Sequence, residues 1–66
     1  MLIQLNGEPR PLEGDSTLTN LVESLGLTGR RIAIEVNEEI VPRSQHGQMR
    51  LNDGDRVEIV HAIGGG

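Results

Sequence analysis

Apolar residues at Leu18, Leu21, Val22 and Leu25 fall at i, i+3, i+4 and i+7, the single stripe of a helix with one buried face. Before and after this stretch the apolar positions alternate with polar ones, which is the period of a strand buried on one side. One short helix among several half-buried strands limits the ways in which the chain can hide its apolar surface. The stripe must cover the inward faces of the strands, which predicts an α+β fold with one main helix on one face of a sheet.

The strands follow from the same alternation. "MLIQLN" sets Met1, Ile3 and Leu5 against Leu2, Gln4 and Asn6, and Asn6-Gly7 is a hairpin signal. The return strand covers about Glu8 to Glu13. Pro9 and Pro11 cannot donate to a ladder, which puts it at an edge. Gly14-Asp15 turns the chain, and Ser16 or Thr17 caps the helix. Gly26 stops the helix in a left-handed cap, and Leu27 folds back on Val22.

"RIAIEVN" is a strand with Ile32, Ile34 and Val36 on one side. Asn37-Glu38-Glu39 reads as a turn, and Ile40-Val41 as a short strand ended by Pro42. Arg43 to Gln48 is irregular, with one short helical turn, while Met49 and Leu51 pack beneath. "NDGD", Asn52 to Asp55, is a turn. "RVEIVHAI" is the last strand, with Val57 and Ile59 inward. Hairpin, helix and two or three further strands give four to five strands in one sheet.

A chain of 66 residues makes one domain and buries only about 60% of the surface it exposes when unfolded. With no Phe, Tyr or Trp, its core is built from Leu, Ile, Val, Met and Ala. The absence of cysteine excludes a disulfide framework, a zinc ribbon, an iron–sulfur cluster and a redox CxxC site. No apolar run reaches membrane-spanning length and no signal peptide opens the sequence, so a cytoplasmic location is expected. The net charge is −4, and all six basic residues are arginine. Without a basic stripe or stacking rings the chain is not built for nucleic acid, and its expected partners are proteins.

Few side chains suggest catalysis. Glu38-Glu39 and Asp53/Asp55 sit in turns, where water keeps carboxylates ordinary. "NDGD" lacks the later ligands of a calcium loop. His46 and His61, without cysteine, make no metal site, and His46 reads as a loop residue packing on the sheet. Ser16, Thr17 and Thr19 belong to capping, and Ser44 has only His46 nearby. The chain is not expected to be an enzyme.

The end of the sequence, "HAIGGG", is different. Glycine costs the most entropy to order, and Gly64, Gly65 and Gly66 add nothing to a core. A folded domain over residues 1–63 with a flexible tail at 64–66 is expected. Three extended residues reach roughly 10 Å and end on an unhindered carboxylate that can enter a narrow channel. Adenylation by ATP makes that carboxylate an electrophile, and a sulfur nucleophile can then displace AMP. Lacking cysteine and lysine, the chain cannot capture its own activated end through a thiol or an ε-amine.

The segments "IAIEVNEEIVPRSQH" and "LNDGDRVEIVHAIGGG", with the short opening strand, resemble the ubiquitin-like β-grasp proteins and, more narrowly, the ThiS family of sulfur carriers in bacterial thiazole biosynthesis. The resemblance covers the whole chain. It implies a mixed sheet with the last strand at its centre, parallel to the first. It implies a monomer that binds no cofactor itself and has two protein partners, a ThiF-type E1-like adenylating enzyme using ATP and a thiazole synthase. Gly66 would be adenylated and converted to a thiocarboxylate, with Gly64 and Gly65 completing the tail. Related alternatives are a molybdopterin-synthase small subunit and a ubiquitin-like protein modifier. The aromatic- and arginine-rich opening hairpin of the former is missing, and without lysine the chain cannot build lysine-linked chains of itself. A β-grasp RNA-binding domain is disfavoured by charge.

Alternation also identifies a docking face. With Val57 and Ile59 toward the helix, Glu58, Val60 and Ala62 face away, together with Ala33 and Glu35 on a neighbouring strand. Ala33, Val60, Ala62 and Ile63 are the expected partner-binding residues, beside the root of the tail.

Overall fold

The computed structural model describes residues 1–61. The chain forms β1 (Leu2–Leu5), β2 (Glu8–Pro11), α1 (Leu18–Ser24), β3 (Ile32–Val36), β4 (Glu39–Ile40) and β5 (Arg56–His61), with a 3₁₀ turn at Arg43–Gln45. The five strands make one sheet in the order β2-β1-β5-β3-β4. β5 lies at the centre, parallel to β1 and antiparallel to β3. The limit between domain and tail at residues 63 and 64 lies outside the described residues.

Local chemistry accounts for the elements. Asn6 and Gly7 adopt φ of 51° and 85°, the two left-handed residues of a tight hairpin turn, so Leu5 faces Glu8 and Leu2 faces Pro11. The Leu12 amide donates to the Met1 carbonyl at 2.8 Å. Counting back by twos puts the proline nitrogens of β2 on the outer side of the edge, where no donor is needed.

Thr17 caps α1: its Oγ1 accepts from the Asn20 amide at 3.2 Å. The Asn20 side chain in turn donates to the carbonyls of Glu13 and Asp15, fixing the approach to the helix. At the other end Gly26 takes φ of 72°. The Leu27 amide then donates to the Val22 carbonyl and the Gly26 amide to that of Glu23, the paired bonds of a Schellman cap.

The stripe meets the sheet as its period requires. Leu18 and Leu21 of α1 join Ile3, Ile34, Val36, Leu51, Val57 and Ile59 in one apolar cluster, with Leu25, Leu27 and Met49 packed against it. Each fully buried aliphatic side chain contributes roughly 1.5–3 kcal/mol, and this cluster is the main support of a chain without aromatic residues.

β4 differs from expectation by one residue. Asn37 and Glu38 both have positive φ, 51° and 73°, so they alone complete the turn and Glu39 already pairs with Val36. The strand is therefore Glu39–Ile40. Val41 leaves it with a buried side chain, although its amide still donates to Ile34 at 2.9 Å. His46 is buried beyond the end of that strand. Its Nε2 lies 3.1 Å from the Val41 carbonyl, which can only accept, so Nε2 carries the proton.

Candidate functional site: the outer face of β5

β5 shows opposite surfaces at alternate residues. Val57 and Ile59 face α1 at 1% and 8% exposure, whereas Val60 is 58% exposed on the other face. Ala33 stands directly opposite Val60 across the β3–β5 ladder, and Glu35 opposite Glu58. The outer face thus carries an apolar pair, Ala33 and Val60, one step from two facing carboxylates. Among the described residues neither carboxylate forms an ion pair. Like charges directly opposite on a sheet are unfavourable. The face holds apolar side chains that folding leaves exposed and a charge arrangement that works against folding.

The alternation places Ala33 and Val60 together as expected. Ala62, Ile63, Gly64, Gly65 and Gly66 lie outside the described residues. Among those described, no three His, Cys, Asp or Glu side chains gather closely enough to hold a metal ion.

Sequence reasoning did not find what holds β5. At its entry the Asn37 Oδ1 accepts from the Arg56 amide at 3.0 Å, while the Asn37 amide donates to the Arg56 carbonyl at 2.7 Å. Farther along, the Asn6 side chain does similar work from the other side. Its Oδ1 accepts from the Ile59 amide at 2.9 Å and its Nδ2 donates to the Ile59 carbonyl at 3.2 Å. Both asparagines open a tight turn, and the turn is the role their sequence context advertises. The "NDGD" aspartates are likewise more than solvated charges. Asp53 Oδ1 accepts from the Leu2 amide and Asp55 Oδ2 from that of Asn52, so the turn is tied to β1 and closed on itself.

The family model of the ThiS family matches residues 3–66. The chain belongs to the ThiS family. It is 42% identical over 65 residues to the sulfur carrier protein ThiS of Thermus thermophilus, with 98% of this chain and 100% of that protein covered. It is 46% identical over 66 residues to a thiazole synthase of Paramagnetospirillum magneticum, a match that takes in 100% of this chain but 20% of that protein. The chain therefore spans about a fifth of the length of that curated relative. The crystal structure of the thiamine biosynthesis protein ThiS of Geobacter metallireducens matches with a TM-score of 0.84 at 29% identity, covering 100% of both chains. The five-stranded mixed sheet with one helix is the β-grasp fold of ThiS, and the central β5, parallel to β1, is where the resemblance placed it.

Proposed function

We propose that this chain is a sulfur carrier in thiamine biosynthesis, with Gly66 as the atom-bearing residue. The reading is supported by the ThiS family match running through residue 66, in a chain whose terminal glycines follow the central strand in sequence. The Gly66 carboxylate attacks the α-phosphorus of ATP on a ThiF-type E1-like enzyme, and pyrophosphate leaves. Sulfide-level sulfur from a donor attacks the acyl-adenylate carbonyl as HS⁻, AMP leaves, and the product is a thiocarboxylate. A thiazole synthase takes that sulfur, and the carrier returns with its carboxylate restored. The chain is co-substrate rather than catalyst, and the reading asks it to hold no cofactor.

The docking surface in this reading is the outer face shared by β3 and β5: Ala33 and Val60, with Ala62 and Ile63 following in sequence. The partner grips the face and receives Gly64 and Gly65 in a channel that a side chain would obstruct. A thiazole synthase is the second partner because relatives bearing that name contain a region like this chain.

Deletion of Gly66 tests the assignment. The shortened chain should keep its thermal transition and lose sulfur transfer by about 100-fold or more, since a misplacement of about 1 Å already has that effect. Normal sulfur transfer by the deletion variant would sink the proposal.

A further inference from the structure

β1 ends at Leu5, and its backbone pairing with β5 ends there too, at Leu5 opposite Val57. The Asn6 amide still donates to the Val57 carbonyl at 2.9 Å, but with φ of 51° the backbone then swings into the hairpin turn. A continuing parallel strand would have offered Ile59 the carbonyl of residue 6 and the N–H of residue 8, from two successive peptide groups. The Asn6 side chain stands in for both, its Oδ1 to the Ile59 amide and its Nδ2 to the Ile59 carbonyl. A primary amide is the shortest side chain that presents an acceptor and a donor side by side, as the Ile59 amide and carbonyl require. Asparagine also tolerates the left-handed conformation better than other non-glycine residues. Both properties are used at one position.

We propose that Asn6 is a positioning residue for sulfur loading. It extends the hold of β1 on β5 to Ile59 by two side-chain hydrogen bonds, so that β5 is held on both sides, by Asn6 and by β3, shortly before the chain continues through residues 62–66 to Gly66. The inference rests on the sulfur-carrier reading, because it concerns how Gly66 reaches the activating enzyme. The aim of a terminal carboxyl into a distant site depends on how its strand is held on both sides. On the β3 side β5 is paired as far as His61, opposite Ile32. On the β1 side, among the described residues, strand pairing ends at Val57 and the Asn6–Ile59 bonds are the last hold.

Asn37 provides the control. It opens a tight turn with the same φ of 51° and also bonds β5 through its side chain, but at Arg56, the first residue of the strand. Asn6→Gly and Asn37→Gly both retain a residue suited to positive φ and both remove side-chain bonds to β5. Only the first loosens β5 toward the end nearer to Gly66, on its β1 side, with the β3 pairing left in place.

Each full-length variant is assayed with ATP, a ThiF-type enzyme and a sulfur donor, and amide hydrogen exchange is followed in the free protein. In Asn6→Gly, exchange at Ile59 should rise about tenfold or more, and kcat for thiocarboxylate formation should fall about tenfold or more, while KM for the carrier stays within about twofold, since the docking face is untouched. Asn37→Gly should leave kcat within about twofold. Should Asn6→Gly fail to fold, Asn6→Asp keeps an acceptor for the Ile59 amide and sets a second acceptor against the Ile59 carbonyl in place of the donor, and it should lower kcat in the same direction. A wild-type chain that gains no sulfur overturns the carrier reading and the positioning role with it. A wild-type chain that gains sulfur, with Asn6→Gly matching Asn37→Gly in kcat, overturns the positioning role alone.

Discussion

Val57 and Val60 are the same residue on the same strand, three positions apart, and they are 1% and 58% exposed. The first touches the helix-side core with Ile3, Leu21 and Ile34. The second shares the opposite face with Ala33 and two facing carboxylates. One strand therefore does two jobs, divided by the pleat. The inner face supplies the stability that a 66-residue chain without aromatics can gather, and the outer face is released from that task. The two surfaces can be altered separately, because changing one does not empty space on the other.

The harshest way to break the comparison is to give both valines the same charge. Val57→Glu buries an unpaired carboxylate and should cost about 4 kcal/mol or more, enough to abolish a cooperative thermal transition in a domain of this size. Val60→Glu should shift stability by no more than about 0.5 kcal/mol. Unfolding by both, or by neither, would show that the faces are not distinct.

Ile59→Ala is a gentler test of the inner face. Removing this buried side chain should lower the unfolding free energy by about 2–3 kcal/mol, read as a lower urea midpoint at an unchanged slope. A drop below about 0.5 kcal/mol would place Ile59 outside the core.

The outer face should answer in binding. Val60→Glu should weaken association with the activating enzyme or the thiazole synthase by roughly 1 kcal/mol or more, measured by calorimetry with the variant fully folded. Unchanged binding and turnover would leave Val60 as ordinary surface.

The smallest expected effect has the opposite sign. Glu58→Gln removes one of two facing carboxylates and should stabilise the fold by about 0.2–1 kcal/mol, with the gain shrinking as salt is added. A loss of stability would mean that Glu58 has an attractive partner and that the face is tuned for folding after all.

These tests can be written down because most of the inner face was legible in the sequence. Thr17, Gly26 and Leu27 mark the helix through contacts within a few residues, and Asn6-Gly7 marks its turn in the same local way. Alternation through "RVEIVH" orients β5 without knowledge of its neighbours. The central place of β5 depends on pairing between residues such as Leu5 and Val57, which no local pattern encodes, and it came from the resemblance. The turn at Asn37-Glu38 was misjudged by one residue because Glu38 takes a left-handed conformation that its identity does not advertise. The Asn6–Ile59 bonds escaped for a different reason. An asparagine in an Asn-Gly turn is already explained, and nothing in the sequence says that its side chain also has a partner 53 residues away.

The intact mass of the protein tests the proposed role of Gly66 most directly. With ATP, a ThiF-type enzyme and a sulfur donor, the mass should rise by the difference between one sulfur and one oxygen atom. Fragmentation should place the whole increase on the terminal glycine, and the original mass should return when a thiazole synthase and its other substrates are added. A mass that does not change, or an increase carried by any residue other than Gly66, would contradict the account.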